Sequence, residues 1–278
     1  MKIQDITSFL ENVAPPLLQE NYDNAGLLTG SALWECTGIL TTLDATEAVI
    51  LEAVEKKCNL IVAHHPIIFS GLKKINGKNY VEKAIISAIK NDIAIFAIHT
   101  NLDNILRGVN GKIADLLGLK NRRILRPKKN LLKKMVTYAP VLHAEAVRSA
   151  MFEVGGGQVG NYSECSFNTD GQGTFKGEDN THPYVGTPGL RHTENETKIE
   201  VIFPAWLEDR IFKAMLKVHP YEEVAYDIIT LDNVHQGTGS GMIGELENSL
   251  TGDEFLHLLT KTFNLSVIRH TPLTGKMV

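Results

Sequence analysis

The sequence contains little cysteine. Its 278 residues include three cysteines, Cys36, Cys58 and Cys165, and no two of them form a Cys-x-x-Cys pair. Zinc–thiolate sites and disulfide frameworks need closely spaced or evenly paired cysteines, so the sequence argues against both. Few, unpaired thiols are typical of a reducing compartment, and we therefore expect a cytoplasmic protein.

Long apolar runs and an excess of charge are also missing. No stretch reaches the ~18 apolar residues of a membrane-spanning helix, and residues 1–5 contain no apolar signal region. The net charge is −4 and the isoelectric point is about 6.2, which argues against general binding to nucleic acid. The composition, 43% hydrophobic and 22% charged, is that of an ordinary globular protein, and the length suits one or two domains.

Common nucleotide-binding and nucleophile motifs are absent as well. No Gly-x-Gly-x-x-Gly follows a predicted strand, and the sequence has no P-loop. The serines and cysteines lack the motif that exposes a nucleophile at a sharp turn. These absences leave histidine and carboxylate side chains as the candidates for chemistry.

The first part of the chain alternates between short apolar runs and amphipathic stretches. Residues 38–43 predict a strand, and the wholly apolar runs 60–63 and 93–98 predict two more, of the kind that is buried on both faces. Residues 44–47, Asp-Ala-Thr-Glu, resemble a capping box that begins one helix, and residues 81–91 predict another. Strand–helix–strand units of this length imply right-handed crossovers, so we predict an α/β fold with a parallel sheet.

Side chains that can bind metal follow each of these predicted strands. Asp44 follows the first strand, His64 and His65 follow the second, and His99 and Asp103 follow the third. Because parallel strands end at the same edge of a sheet, these five residues should gather there although they are far apart in sequence. Open α/β sheets bind their ligands at this edge, which makes it the candidate functional site.

The adjacent pair His64 and His65 suits divalent metal ions. Their side chains would point to opposite faces of a regular strand, but the strand stops at Pro66, where a kink can turn both toward one cavity. Imidazole and carboxylate ligands together suit Zn, Fe, Mn, Ni or Co. Asp103 would supply the carboxylate, and His99 would be a ligand or an outer residue that orients one. The alternative is a set of buried histidines that hydrogen-bond to the backbone.

An upstream polar segment, residues 23–26, precedes the first predicted strand. Its sequence is Asp-Asn-Ala-Gly, in which Asn and Gly tolerate left-handed backbone and Asp can cap its own turn. We interpret it as a surface turn.

A second region, with a different composition and a different order of predicted elements, interrupts the α/β pattern. Residues 120–134 are rich in Lys and Arg and are interpreted as a solvated connector, with nucleic-acid contact as the alternative. The following predicted order is β-α-β-β-α-β, which is a ferredoxin-like α+β domain, with the polar, glycine-rich segment 168–196 interpreted as loop and hairpin. The predicted domains are therefore 1–126, an insert at 127–232, and 233–278 as the second part of the first domain.

The histidines of the insert are weaker candidates for chemistry. His182 and His192 lie among Gly, Asn and Thr, which predicts that they are exposed. His219 is close to Glu222 and Glu223, a spacing that allows metal binding. A lead-in to the next strand is the favoured interpretation of this last segment.

The last segment, 233–278, has a strand pattern at 242–246 and a helix pattern at 251–263. It then ends on strand-like sequence at 265–268 and 276–278, with no closing helix. A chain that stops within a strand pattern suggests a truncated protein.

Four motifs occur in order along the first part of the chain: Asp23-Asn24-x-Gly26-Leu27, Leu43-Asp44-Ala45-Thr46, Ile61-x-x-His64-His65-Pro66-x-x-Phe69 and His99-Thr100-x-Leu102-Asp103. Together they resemble the NIF-three-like dinuclear metal-centre family, whose members are often labelled GTP cyclohydrolase I type-two homologues. Other motifs are similar to the PII/CutA-like insert of the longer members: Gly171-x-Gly173-x-Phe175, Pro183-x-x-Gly186 and His219-Pro220-Tyr221-Glu222. The resemblance covers essentially the whole chain. It implies a NIF-three-like α/β domain with a parallel or mixed sheet, interrupted by a ferredoxin-like PII/CutA-type domain.

The resemblance also implies a site for two divalent metal ions, with His64, His65 and Asp103 as ligands. His99 and Asp44 are then candidates for outer positions that orient the ligands. The family's other ligands, a His and a Glu four residues apart, come from a C-terminal segment that this sequence does not contain. We therefore expect two ions per chain in the complete protein and weak, partial or absent metal binding in this chain.

The resemblance further implies a toroidal homohexamer, a dimer of trimers, and two hypotheses about function. The first is a metal-dependent, hydrolase-like protein of unknown substrate, because a two-metal centre can generate hydroxide near neutral pH. The second is a non-enzymatic metal-binding or regulatory scaffold, in which the PII-like insert oligomerises or senses a small effector. The sequence contains no motif that recognises guanine or a triphosphate, so the cyclohydrolase label rests on the family alone.

Overall fold

The computed structural model describes residues 1–273 of the chain. Its strands, in chain order, are β1 (Gly26–Thr29), β2 (Ile39–Asp44), β3 (Leu60–His65), β4 (Ala94–Ala97), β5 (Lys120–Pro127), β6 (Leu132–Pro140), β7 (Ser166–Lys176), β8 (Arg191–Pro204), β9 (Tyr226–Leu231) and β10 (Gly239–Glu245). Its α-helices are α1 (Ile3–Val13), α2 (Glu47–Glu55), α3 (Tyr80–Lys90), α4 (Thr100–Asp103), α5 (Val109–Leu116), α6 (Ala144–Glu153), α7 (Glu208–Val218) and α8 (Gly252–Phe263).

Two compact units follow from the internal contacts of the chain. The first consists of residues 1–127 and the segment that begins at Gln236, and the second consists of residues 128–235. Each has its own buried core, which includes Phe96 in the first unit and Phe203 in the second. We refer to the second unit as the insert.

The first unit is built on a four-stranded mixed sheet with the strand order β1-β4-β3-β2. Strands β2, β3 and β4 are parallel, as the sequence predicts, and β1 pairs antiparallel with β4 at the edge. Residues of α2 and α3 pack with the buried residues of β3 and β4 in one apolar core. Because the three parallel strands end at one edge, the segments that follow them are brought together.

The helix after β2 begins later than its sequence pattern suggests. Asp44 is the last residue of β2, and the hydroxyl of Thr46 caps α2 by accepting a hydrogen bond from Val49 N–H at 3.4 Å. The expectation of a capping box over residues 44–47 is therefore wrong. The Asp44 carboxylate is available to a different partner.

The basic stretch interpreted as a connector is a strand over most of its length. Strand β5 pairs antiparallel with β10, from Lys120 opposite Glu245 to Pro127 opposite Gly239. Most of its side chains are exposed and Ile124 is the buried one, so the strand has no apolar alternation. The interpretation as a connector is wrong because the pairing partner lies far along the chain, where local sequence cannot indicate it.

The insert has the element order β6-α6-β7-β8-α7-β9, which confirms the predicted β-α-β-β-α-β succession. Its sheet is antiparallel with the strand order β7-β8-β6-β9, so the unit is ferredoxin-like. Much of the polar segment 168–196 is strand rather than loop, since β7 pairs along its whole length with β8. The side chains of β7 are mostly exposed and polar, which hides the strand from a search for apolar patterns.

The last segment contains the strand β10 and the helix α8, which confirms both predicted elements. The side chain of Thr251 caps α8, and Glu254 bonds back to the Thr251 N–H, so a capping box fixes the start of this helix. Residues 265–268, which have a strand-like sequence, form no strand, and residues 276–278 lie outside the described residues. Within residues 1–273, none of the helices is long and apolar enough to cross a membrane.

Candidate metal centre

Three histidines meet at the edge where the parallel strands end. His64 and His65 are the last residues of β3, and His99 lies just after β4. The ring centroids of His64 and His65 are 5.0 Å apart, and they lie 5.2 and 5.4 Å from the ring centroid of His99. One potential ligand nitrogen of each residue lies within 4.8 Å of the others. We term this group the histidine cluster.

Each imidazole of the histidine cluster is held through its Nδ1 atom. The acceptors and the Nδ1–O distances are Ile98 O for His64 (3.0 Å), Asp44 Oδ1 for His65 (2.8 Å) and Asp23 Oδ1 for His99 (2.7 Å). Carbonyl and carboxylate oxygens only accept, so each Nδ1 carries the hydrogen. In the neutral ring this tautomer leaves Nε2 with its lone pair, which is how metal-binding histidines are prepared.

Asp44 reaches His65 because their strands are in register. The two residues are Cα partners at the ends of the parallel strands β2 and β3. Both side chains are exposed, and the Asp44 carboxylate bonds to His65 on the ring nitrogen that a metal ion would not use. This contact orients the imidazole of His65.

Asp103 is the carboxylate that lies beside the histidine cluster. Its Oδ1 atom is 3.9 Å from His64 Nε2. Asp103 is the last residue of α4. The buried side chains of Asn101 and Asn104 donate hydrogen bonds of 2.7 and 2.8 Å to backbone carbonyls in residues 14–18. These bonds fix the segment after β4 and therefore fix Asp103 relative to the histidines.

Asp23 is a site residue that its local sequence pattern did not reveal. The interpretation as a surface turn is wrong at this position, because the Asp23 side chain is fully buried. It accepts hydrogen bonds from His99 Nδ1 (2.7 Å), from the Thr100 N–H (3.0 Å) and from the Thr100 hydroxyl. Burial by itself would raise the pKa of Asp23, but these bonds and one from the Asn24 N–H outweigh it and hold the pKa below its ordinary value. Asp23 is therefore an ionised group that orients His99.

Two exposed aromatic rings border the cluster. The ring of Phe69 lies 6.5 Å from that of His99 and 6.2 Å from that of Tyr22, measured between centroids. The side chain of Asn24 donates to Ile68 O at 2.7 Å, which ties the two aromatic segments together. The cluster is thus open to solvent beside apolar surface.

The histidines of the insert have other roles. His219 is buried, its Nε2 donates to Tyr138 O at 3.0 Å, and its Nδ1 accepts from the Tyr221 N–H at 3.2 Å. Both ring nitrogens are used, which supports the structural interpretation of His219. His182 is exposed as expected, whereas the expectation for His192 is wrong: it is half-buried and bonds to a neighbouring carboxylate.

Comparison with known proteins bears on the whole chain. The family model of Duf34/NIF3 (NGG1p interacting factor 3) matches residues 1–278. A Halalkalibacterium halodurans protein named GTP cyclohydrolase 1 type 2 homolog is 41% identical over 267 residues, which make up 96% of this chain and 72% of that protein. A Bacillus subtilis protein of the same name is 37% identical over 276 residues, 99% of this chain and 74% of that protein.

Solved structures agree with these sequence matches. A Bacillus cereus protein related to NIF3 has a TM-score of 0.87 at 38% identity, covering 100% of this chain and 74% of that chain. A Staphylococcus aureus protein has a TM-score of 0.71 at 30% identity, covering 100% of this chain and 73% of that one. Matches of this extent include both units, and they establish that the chain belongs to the Duf34/NIF3 family, as its motifs predicted.

Proposed function

We propose that the histidine cluster binds divalent transition-metal ions, weakly in this chain, and that the protein is a metal-dependent, hydrolase-like protein. The observation that supports it best is the Nδ1 bonding of all three imidazoles to oxygen acceptors, which prepares three Nε2 atoms as ligands. Histidines with a purely structural role have no need to place a ring nitrogen each within 4.8 Å of one another. The proposal is therefore favoured over the backbone-bonding alternative.

The donor set fits borderline divalent metals. It combines imidazole with a carboxylate, Asp103, and contains no thiolate, a mixture that suits Zn, Fe, Mn, Ni or Co. The adjacent His64 and His65 allow one imidazole for each of two ions, in line with the dinuclear site implied by the motifs. The ring of His99 lies almost as close to the rings of His64 and His65 as those two lie to each other, so we propose it as a further ligand candidate rather than only an outer residue.

A bound divalent ion supplies a water of lowered pKa and a Lewis acid for a carbonyl or phosphoryl oxygen. The chain itself orients the ligands. Asp44 and Asp23 hold the rings of His65 and His99, and Asp103 adds the negative charge that favours a cation. The neighbouring rings of Tyr22 and Phe69 offer apolar surface for a bound organic substrate.

Titration of the purified 278-residue chain with Co²⁺ tests the metal site. We expect a visible spectrum typical of imidazole coordination, and we expect His64→Ala to weaken binding by more than the roughly 10–100-fold that loss of an outer partner costs. The control is His182→Ala, which removes an exposed histidine of the insert. Equal Co²⁺ affinity in the wild-type chain and in His64→Ala would contradict the proposal.

The hydrolytic part of the proposal needs its own assay. The metal-loaded protein would be tested on nucleotide, phosphoester and cyclic amide substrates, with His64→Ala and Asp103→Ala as variants. Metal-dependent turnover that both variants lose is the expected result. Metal binding without any turnover would favour the second candidate, a metal-binding or regulatory scaffold, which the separate fold and cavity of the insert support.

We also propose homo-oligomerisation, with the hexamer as the expected form. Large apolar side chains that are mostly exposed, such as Leu142 and Phe167 in the insert, are available for contacts between copies. Light scattering after size-exclusion chromatography would measure the mass. A monomer at micromolar concentration would contradict this part of the proposal.

A further inference from the structure

The insert contains a cavity that the proposed metal site does not use. Its volume is about 310 Å³, within the range of small-molecule sites. Residues from four separate segments line it: Gly173 to Gly177 of β7 and the turn that follows, the segment from Thr181 to Tyr184, Glu196 of β8, and Tyr221 to Glu223. The three motifs of the insert therefore meet at one place although they are distant in sequence.

Aromatic rings form one side of this cavity. Phe175, Tyr184 and Tyr221 all line it. The ring of Tyr221 lies 6.2 Å from that of Phe175 and 6.4 Å from that of Tyr184, with interplanar angles of 55° and 49°. The rings are therefore tilted relative to one another and are not stacked in parallel. The face of an aromatic ring attracts cations.

Carboxylates form the polar part of the lining. Glu196, Glu222 and Glu223 contribute three negative charges, and Lys176 is the single basic residue among the lining residues. This balance disfavours an anionic ligand. The cavity also differs from a purely apolar pocket, because its lining combines aromatic rings with carboxylates.

Hydrogen bonds arrange the walls before any ligand binds. The hydroxyl of Tyr221 donates to Glu196 Oε1 at 2.7 Å, and burial together with the Glu196 carboxylate raises the pKa of Tyr221, so the phenol keeps its hydrogen. Glu222 accepts from the His182 N–H at 2.8 Å, which fixes the segment that leads to Tyr184. The cavity is preorganised, and preorganisation lowers the cost of binding.

Gly173 has a specific part in this arrangement. A Cβ atom at this position would lie 2.0 Å from Glu196 Oε2, so a residue larger than glycine would displace the carboxylate from its present position. The motif glycine is thus compatible with the Glu196 carboxylate bonded to Tyr221.

We propose that this cavity binds a small organic cation of the alkylammonium or quaternary ammonium class, held between the aromatic walls and the carboxylates. The cation faces the rings of Phe175, Tyr184 and Tyr221, and Glu196 balances its charge. The site lies entirely within the insert and is independent of the histidine cluster.

Saturation-transfer NMR with choline as the probe tests the proposal on the full chain. The matched probe is 3,3-dimethyl-1-butanol, which has the same shape as choline but no charge. We expect choline to bind and the neutral alcohol to bind about tenfold more weakly or not at all. Absence of choline binding by the folded chain, or equal binding of the two probes, would overturn the proposal.

Variants locate the site. We expect Tyr221→Ala and Glu196→Gln each to raise the choline Kd by about tenfold, and Tyr221→Phe, which keeps the ring, to raise it less. The controls Tyr162→Ala and Glu145→Gln remove the same groups from exposed positions of the insert outside the cavity. Unchanged affinity in Glu196→Gln, a variant that preserves packing, would place choline elsewhere and overturn the proposal.

Discussion

The histidine cluster of the first unit and His219 of the insert differ in how the protein uses the two ring nitrogens. In the cluster, each Nδ1 donates to an oxygen acceptor, which leaves Nε2 with its lone pair. In the insert, His219 donates through Nε2 to Tyr138 O and accepts at Nδ1 from the Tyr221 N–H. The first arrangement is compatible with metal binding, and the second links two backbone segments.

This difference could not be inferred from residue spacing. His219 is followed by Glu222 and Glu223, a spacing that also allows metal binding, although a lead-in to the next strand is the favoured interpretation of the sequence. What distinguishes His219 from the histidine cluster is the hydrogen-bond partner of the second nitrogen, which depends on tertiary structure. Histidine roles in this fold are therefore best tested by removing those partners.

The largest effect is expected for Asp23→Ala. The substitution leaves the Thr100 N–H, the Thr100 hydroxyl and His99 Nδ1 without their buried acceptor, so we expect the free energy of unfolding to fall by about 2–4 kcal/mol. Urea denaturation measures it. Asp23→Asn, which keeps one acceptor oxygen, should lose less. Equal stability of wild type and Asp23→Ala would show that the bonds to Asp23 are not important.

Asp44→Ala should separate orientation from stability within the same cluster. The Asp44 side chain is exposed, so we expect stability to change by less than about 0.5 kcal/mol. Loss of the bond to His65 should weaken Co²⁺ binding by roughly 10–100-fold. Asp209→Ala, in an exposed aspartate of the insert, serves as the control and should leave Co²⁺ affinity unchanged. Unaltered Co²⁺ affinity in Asp44→Ala would remove Asp44 from the site.

His219→Ala tests the other side of the comparison. Removing this buried side chain leaves Tyr138 O without its donor, and we expect a loss of about 1–3 kcal/mol in the free energy of unfolding. Co²⁺ affinity at the histidine cluster should stay the same. A drop in Co²⁺ affinity without a loss of stability would mean that His219 is a ligand after all.

The smallest effect concerns pH. Burial lowers the pKa of His219 from its ordinary 6.5, an effect that the hydrogen bond to Tyr138 O and the nearby Glu196 charge oppose, and burial also lowers the pKa of His235. The folded state then binds fewer protons than the unfolded state below pH 6.5, so stability should be full above that pH and fall as the pH decreases through it. Urea denaturation at pH 7.5 and 5.5 should show a smaller difference in His219→Gln than in wild type. An identical difference would assign the pH dependence to other groups.

The convergence of His64, His65 and His99 could be predicted because it follows from local patterns. Each histidine comes directly after an apolar run, and parallel strands with helical crossovers must end at one edge. No long-range information is needed for this step. The order of strands and helices in the insert could be predicted because it too follows from local sequence patterns.

Asp23 and β5 could not be predicted because their positions depend on antiparallel pairing between distant segments. Asp23 reaches His99 because β1 adds to the sheet beside β4, and nothing in residues 23–26 indicates that neighbour. The basic residues of β5 form a strand through pairing with β10 alone. Both features come from partners rather than from propensity.

The ribbon of β5 and β10 has a consequence for how the chain can be built. Pro127 and Gly239 face each other across this ribbon, so the backbone leaves the first unit and returns to it at adjacent positions. In the chain, the insert therefore takes the place of a hairpin turn that could join β5 to β10. Because the entropy of loop closure grows only with the logarithm of loop length, replacing a turn by a folded module costs the first unit little. A gene could gain or lose the whole insert here without shifting the register of a single strand.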